Sequence, residues 1–364
     1  MKVKDIIKII EEVAPSSYQE SYDNSSLQIG SFDNEVSSVL ICIDVTESVI
    51  DEAIKKGANL VISHHPLIFS GIKNIIGKNN IQKIIVKAIK NDISIYSSHT
   101  SLDNSYRGVN AMIARKLGLS NVSILDPKEN FLYKLIVFTP ESHVEKVKTA
   151  MFDAGAGNIG NYECCSFSVK GEGQFKANDD ASPFIGDKNS LHFEKEVRVE
   201  VIIPMNVKNQ VINSMLNAHP YEEVAYDIVK LENKFYSAGS GIIGYLEQPI
   251  DSITFGKTIK SVFNSGCIKF AGDDCRQIRK VAVCGGSGSF LIKNAISLGA
   301  DCFITGEIKY HDFLDYSDSI SLYEAGHYET EQFTMELIKE LIEAKASDLK
   351  INITEINTNP IKYL

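Results

Sequence analysis

Short apolar runs alternate with amphipathic stretches along most of this 364-residue chain. Val3, Ile6, Ile7, Ile9, Ile10 and Val13 recur at helical spacing and predict a helix over residues 1–14. Its charges fall inside the run, so it reads as neither a signal peptide nor a membrane anchor. Strands are predicted at 27–29, 39–43, 58–63 and 93–97, and helices at 44–56, 80–90 and 109–117. The helix over 44–56 is capped by Thr46 or Asp44 and stopped at Gly57. Strands and helices alternating at this length imply right-handed crossovers and a mostly parallel or mixed sheet.

The plan returns near the C-terminus, with strands at 281–284, 300–305 and 320–323 and a helix at 289–298. Residues 53–63 align with 295–305, each running Ala-Ile, then Gly-Ala, then an apolar strand, so that His64-His65 corresponds to Gly306-Glu307. Residues 93–96, leading into His99, likewise match 320–323, leading into His327. The fold class is therefore α/β (α+β). Two related three-layer halves, 1–127 and 234–364, are expected to form one domain with a shared site at their seam. Between them, 128–233 reads strand (134–138), helix (142–154), strand (163–171), strand (196–203), helix (207–218), strand (225–231). That order is the ferredoxin-like βαββαβ plan, with the polar stretch 176–189 as a flexible hairpin end.

Length, charge and cysteine usage narrow the class. The chain is long enough for two or three domains. Its net charge of −10 is the wrong sign for general nucleic-acid binding. No segment offers the roughly 18 uninterrupted apolar residues of a spanning helix. Seven cysteines with no C-x-x-C pair read as reduced, packed thiols, which points to the cytoplasm. Cys164-Cys165 is read as two strand residues facing opposite sides.

Candidate chemistry begins at His64-His65-Pro66, where a buried strand ends. Neighbouring strand residues face opposite sides, so two adjacent histidines serve one site only where the backbone turns, and Pro66 supplies that turn. Strand carboxyl ends in open α/β sheets are where ligands bind, which suggests a metal site; two ordinary loop histidines are the alternative. His327 and Glu331, four apart at a helix start, share one helical face, and Asp103 follows the strand that leads into His99. His64, His65, Asp103, His327 and Glu331 make three imidazoles and two carboxylates. Five such ligands exceed one tetrahedral site and suit two divalent ions about 3.5–4 Å apart, with zinc the first expectation and iron, manganese or cobalt also suited. Candidate catalytic groups are His99, Glu307 and His311, as proton carriers or as partners that hold the ligands. Gly285-Gly286-Ser287-Gly288 reads as a tight structural turn before a phosphate cradle, and His219-Pro220-Tyr221 as a loop before an oligomer opening or metal site.

The stretches 21–30 (SYDNSSLQIG), 62–69 (ISHHPLIF), 99–103 (HTSLD), 305–312 (TGEIKYHD) and 326–331 (GHYETE) together resemble the signature motifs of the GTP cyclohydrolase I type 2 homologues, the NGG-interacting-factor-like family. The resemblance runs nearly end to end. It implies His65 and Asp103 on one metal, His64 and His327 on the other, and Glu331 bridging. It also implies an insert like a signal-transduction or copper-tolerance lobe, and a toroidal homohexamer. Two departures stand out: Ser25-Ser26 replaces the usual Val-Gly, and Glu307 replaces the usual Asp.

The function so implied is a dinuclear metal-dependent hydrolase, with water attacking guanine C8 of GTP. The alternatives are a non-catalytic metal-binding or regulatory hexamer, and a metal-dependent phosphoesterase acting on nucleotides.

Overall fold

Leu60–Ser63 lies at the centre of a five-stranded sheet in the spatial order Ser26–Ile29, Ser94–Ser97, Leu60–Ser63, Ser38–Cys42, Lys350–Ile353. The first of these runs antiparallel to its neighbour and the others are parallel. Every residue of Ser38–Cys42, Leu60–Ser63 and Ser94–Ser97 is buried. Both faces of the sheet are thus covered, which is why these strands read as continuous apolar runs. This computed structural model describes all 364 residues.

A second sheet repeats the arrangement, in the order Lys269–Ala271, Ser321–Glu324, Cys302–Thr305, Gln277–Cys284, Phe235–Asp251, Ser120–Lys128. Here too an antiparallel edge strand leads into three parallel ones. Cys302–Thr305 takes the place of Leu60–Ser63, and Ser321–Glu324 that of Ser94–Ser97. Val39, Ile41, Leu60 and Ile62 of one sheet join Val281, Val283, Cys302 and Ile304 of the other in a single core. The helices Val3–Glu11, Val109–Lys116, Ser252–Val262 and Thr334–Glu343 contribute to that core from between the sheets. On the outer faces, Leu40, Cys42 and Val61 pack on Glu47–Lys56 and Asn80–Lys90, while Ala282, Cys284 and Phe303 pack on Ile292–Ser297. Burying both faces of two sheets places both sets of strand ends in the protein interior, where polar side chains must find partners.

Compact packing divides the chain into residues 1–127 with 236–364, and residues 128–235. The second unit runs strand, helix, strand, strand, helix, strand. Its antiparallel sheet has the order Ser166–Lys176, Leu191–Pro204, Leu132–Pro140, Tyr226–Leu231. Val147, Met151, Val211 and Met215 of its two helices cover one face.

Several expectations change. Cys164-Cys165 is not in a strand. Cys164 has φ +55° and the Cys165 amide donates to the Gly157 carbonyl at 2.8 Å, so the chain turns here before Ser166–Lys176 begins. Thr46, not Asp44, caps its helix, accepting from the Val49 amide at 3.3 Å. The edge strand Lys350–Ile353 carries no pattern that separates it from a loop. No helix is long and apolar enough to cross a membrane.

Candidate metal centre

His64 and His65 leave the end of Leu60–Ser63 toward different neighbours. His64 Nδ1 lies 3.0 Å from the Ser98 carbonyl, just past Ser94–Ser97 on one side. His65 Nδ1 lies 2.8 Å from Asp44 Oδ1, just past Ser38–Cys42 on the other. Carbonyl and carboxylate oxygens only accept, so each Nδ1 carries a proton and each Nε2 is the atom left to face the interior. His327 follows the same rule, with Nδ1 donating to Glu307 Oε1 at 2.8 Å. His99 Nδ1 donates to Asp23 Oδ1 at 2.9 Å. Four imidazoles are therefore oriented by an acceptor behind each ring, the arrangement that holds metal-binding histidines in one tautomer.

The Nε2 atoms converge on Glu331, whose side chain is 5% exposed. Glu331 Oε2 lies 2.9 Å from His65 Nε2 and 3.2 Å from His327 Nε2. Glu331 Oε1 lies 3.7 Å from His64 Nε2, and Asp103 Oδ1 lies 3.5 Å from that same nitrogen. His64 Nε2 is fully buried and has no hydrogen-bond partner. An orphaned buried nitrogen costs about 1–3 kcal/mol. An ion between it and the two carboxylates would remove that cost, so the residues fit a metal. The donor set is nitrogen and oxygen only. Buried Cys284 nearby has its thiol pushed up by burial and by the Asp103 and Glu331 charges, so it is protonated in the metal-free protein.

Ligand atoms of His65, His327 and Glu331 lie within 4.8 Å of one another, as do those of His64, His65 and His99. The contacts group His64 with Asp103 and His65 with His327, the two sets joined at Glu331.

Of the remaining candidates, His99 is inside the cluster, its ring centroid 5.3 Å from those of both His64 and His65. Glu307 orients His327. His311 is exposed at the start of Tyr310–Tyr316, its ring against Tyr310, and lies outside the His–Glu cluster. Sequence reading missed Asp44 and Asp23. Asp44 also accepts from Thr358 Oγ1 at 3.0 Å, and Asp23 accepts from Thr100 and Ser25, so each is fixed from several directions. Ser25 in turn accepts from the His99 amide at 3.0 Å, which gives the unusual serine a place in the site. In the turn from Gly285 to Gly288 the three glycine amides donate to Asn110, Thr330 and Thr305, so they serve the turn itself.

Without a metal, protons hold the cluster together. Burial opposes charge on His65, but Asp44 and Glu331 carry it up to about 10. The Glu331 hydrogen bond raises His327 to about 9. Burial raises Asp103, whereas Glu331, despite burial, is held well below the usual carboxylate range by the surrounding imidazoles. These raised values stabilise the metal-free fold fully below the ordinary imidazole pKa of 6.5, and the contribution disappears as pH rises through 9 to 10. Metal binding has the opposite sign, because only neutral imidazole coordinates. Metal affinity is expected to rise with pH toward 9–10 and to fall on acidification. Calorimetry at pH 7 in buffers of different ionisation enthalpy should show about two protons released per chain. Buffer-independent heats would contradict this.

A family model described as Duf34/NIF3 (NGG1p interacting factor 3) matches residues 1–360. The chain is 38% identical over 364 residues to a Halalkalibacterium halodurans protein described as a GTP cyclohydrolase 1 type 2 homolog, covering 99% of this chain and 98% of that one. A Bacillus subtilis protein with the same description is 37% identical over 367 residues, covering 99% and 98%. Among solved structures, a Bacillus cereus protein related to NIF3 superimposes with a TM-score of 0.85 at 38% identity, covering 100% of this chain and 99% of that one.

Proposed function

The chain belongs to the Duf34/NIF3 family, and from that premise we propose that it is a dinuclear metal-dependent hydrolase acting on a guanine nucleotide. The observation that carries the metal half is the convergence of His64, His65 and His327 Nε2 on the two oxygens of buried Glu331, with His64 Nε2 otherwise unpartnered. His64 with Asp103 would hold one ion, His65 with His327 the other, and Glu331 would bridge. Two such ions supply Lewis acidity and a water acidified toward neutral pH. His99, oriented by Asp23 and carrying a free Nε2 lone pair, is placed to take a proton beside them.

The guanine half is supported by the relatives' description and by the adjoining pocket, about 490 Å³ in volume. Its walls include Glu307, Glu324, Glu329, Tyr328 and Tyr363. Carboxylates accept from the N1–H and exocyclic amine of guanine, and tyrosine rings stack on a base. The lining has one lysine, Lys269, already paired with Glu324 at 2.6 Å, so the pocket suits the base better than the phosphates.

Incubating metal-loaded protein with GTP and analysing products by mass spectrometry, beside His64→Ala, tests the proposal. A metal-dependent ring-opened nucleotide absent from the variant supports it. Phosphate release with an intact base replaces the ring-opening reaction with a phosphoesterase, and untouched GTP removes the substrate.

A further inference from the structure

The unit formed by residues 128–235 has a cavity of its own, about 290 Å³, at the end of its sheet where Leu132–Pro140 finishes and Ser166–Lys176 turns back. That volume is near the small end of ligand sites. Aromatic rings form much of its wall: Phe138, Phe175, Phe184 and Tyr221. The Tyr221 ring is the hub, its centroid 6.0 Å from Phe175 and 6.3 Å from Phe184. Phe184 stands on the polar stretch between two strands and is 54% exposed, a large apolar ring left at the opening.

The charged groups in this cavity share one sign. Glu196 and Glu222 line it, and no lysine or arginine does. Gly173 lies diagonally across from Glu196 on the neighbouring strand, and a methyl group there would collide with the Glu196 carboxylate, so the glycine makes room for it. His219, whose ring lies 5.0 Å from that of Tyr221, does not neutralise that charge. His219 Nε2 donates to the Phe138 carbonyl at 2.9 Å while its Nδ1 accepts from the Tyr221 amide at 3.1 Å, which fixes a neutral ring, and burial lowers its pKa further. The Tyr221 hydroxyl is sealed from solvent beside Glu196, whose carboxylate together with burial raises its pKa. Glu222 is anchored by the Ser182 amide at 2.6 Å, which ties the loop carrying Phe184 to the rim.

A ring of aromatic faces around carboxylates is the environment that stabilises an organic cation, by attraction to the π faces and by ion pairing at one end. A hydrated inorganic ion gains nothing from the rings, and an anion is repelled. We propose that residues 128–235 hold a binding site for a small organic cation, a substituted ammonium whose alkyl groups pack among Phe175, Phe184 and Tyr221 while Glu196 balances its charge. The site is separate from the His–Glu cluster and does not depend on the reading given above for that cluster.

Calorimetric titration of the full-length chain with choline and tetramethylammonium tests this, with the uncharged carbon isostere of choline as control. Saturable choline binding is expected, with the isostere at least about tenfold weaker, since the cation–π and ion-pair terms are lost together. Glu196→Gln should weaken choline by about tenfold, and Phe184→Ala, at an exposed position that leaves the fold intact, by several-fold. Unchanged melting temperatures of the variants make these losses local. Equal affinity for choline and its isostere overturns the proposal. So does unchanged binding in folded Glu196→Gln and Phe184→Ala, displacement of choline by millimolar magnesium, or absence of saturable binding by either cation, the result if a second copy of the chain covers the cavity.

Discussion

Glu331→Gln is expected to strip both ions from the protein, with metal content by mass spectrometry falling from about two per chain to near zero after dialysis, a loss in affinity of more than about a hundredfold. One oxygen of Glu331 faces His65 and His327, and the other faces His64 and, beyond it, Asp103. Glutamine keeps the shape but replaces one oxygen with an amide that cannot coordinate, and it removes the single negative charge shared by three imidazoles. Asp103 remains, but burial pushes its carboxyl toward the neutral form, so it cannot make up the charge alone. The same substitution should reduce the pH dependence of the metal-free protein between 7 and 10, because Glu331 is the main group raising His327 and shares with Asp44 in raising His65. Retention of both ions would show that Glu331 bridges neither, and loss of one would assign it to a single ion.

The parts of this centre that were legible in the sequence are those set by local geometry. Two histidines at a strand end before a proline, and a histidine and a glutamate four apart at a helix start, announce themselves because strand and helix periods fix where such side chains go. The repeat of residues 53–63 in 295–305 was equally legible, and in the second sheet Cys302–Thr305 takes the central place that Leu60–Ser63 takes in the first. Groups that act across the fold were not. Asp44 looks like a helix cap and Asp23 like a loop residue until the sheet brings them 2.8 and 2.9 Å from histidines 21 and 76 positions away. The pairing of His64 with Asp103 was hidden for the same reason. It depends on which neighbouring strand lies on which side of Leu60–Ser63, an order that no short window of sequence carries. Cys164-Cys165 failed differently, since a left-handed residue other than glycine or asparagine leaves little trace in composition.

Gly286→Ala is expected to abolish metal binding without touching a ligand. Gly286 has φ +63°, where an L side chain costs about 1–2 kcal/mol, and its Cβ would collide with Glu331 Oε1 and approach Glu331 Cδ at 3.1 Å. Neither partner can give way. The Gly286 amide is held by Thr330 Oγ1 at 2.9 Å, and its carbonyl accepts from the Gly306 amide at 2.8 Å and Thr305 Oγ1 at 3.0 Å. Glu331 is held from its other side by His65 and His327. The collision therefore pushes the carboxylate off the point where the three imidazoles meet, and a displacement of about 1 Å suffices to spoil coordination distances defined to about 0.2 Å. Metal affinity should fall by at least about a hundredfold, with about 2–4 kcal/mol lost from stability as strain and steric conflict add. Gly299→Ala separates the two causes. Gly299 has φ +68° but no atom within 4 Å of its would-be Cβ, so that variant carries the backbone penalty alone and should keep both ions while losing only the smaller stability increment. Equal metal content in the two variants would mean that the glycine turn supports the fold without setting the position of Glu331. Loss confined to Gly286→Ala makes the turn the wall against which the bridging carboxylate is seated.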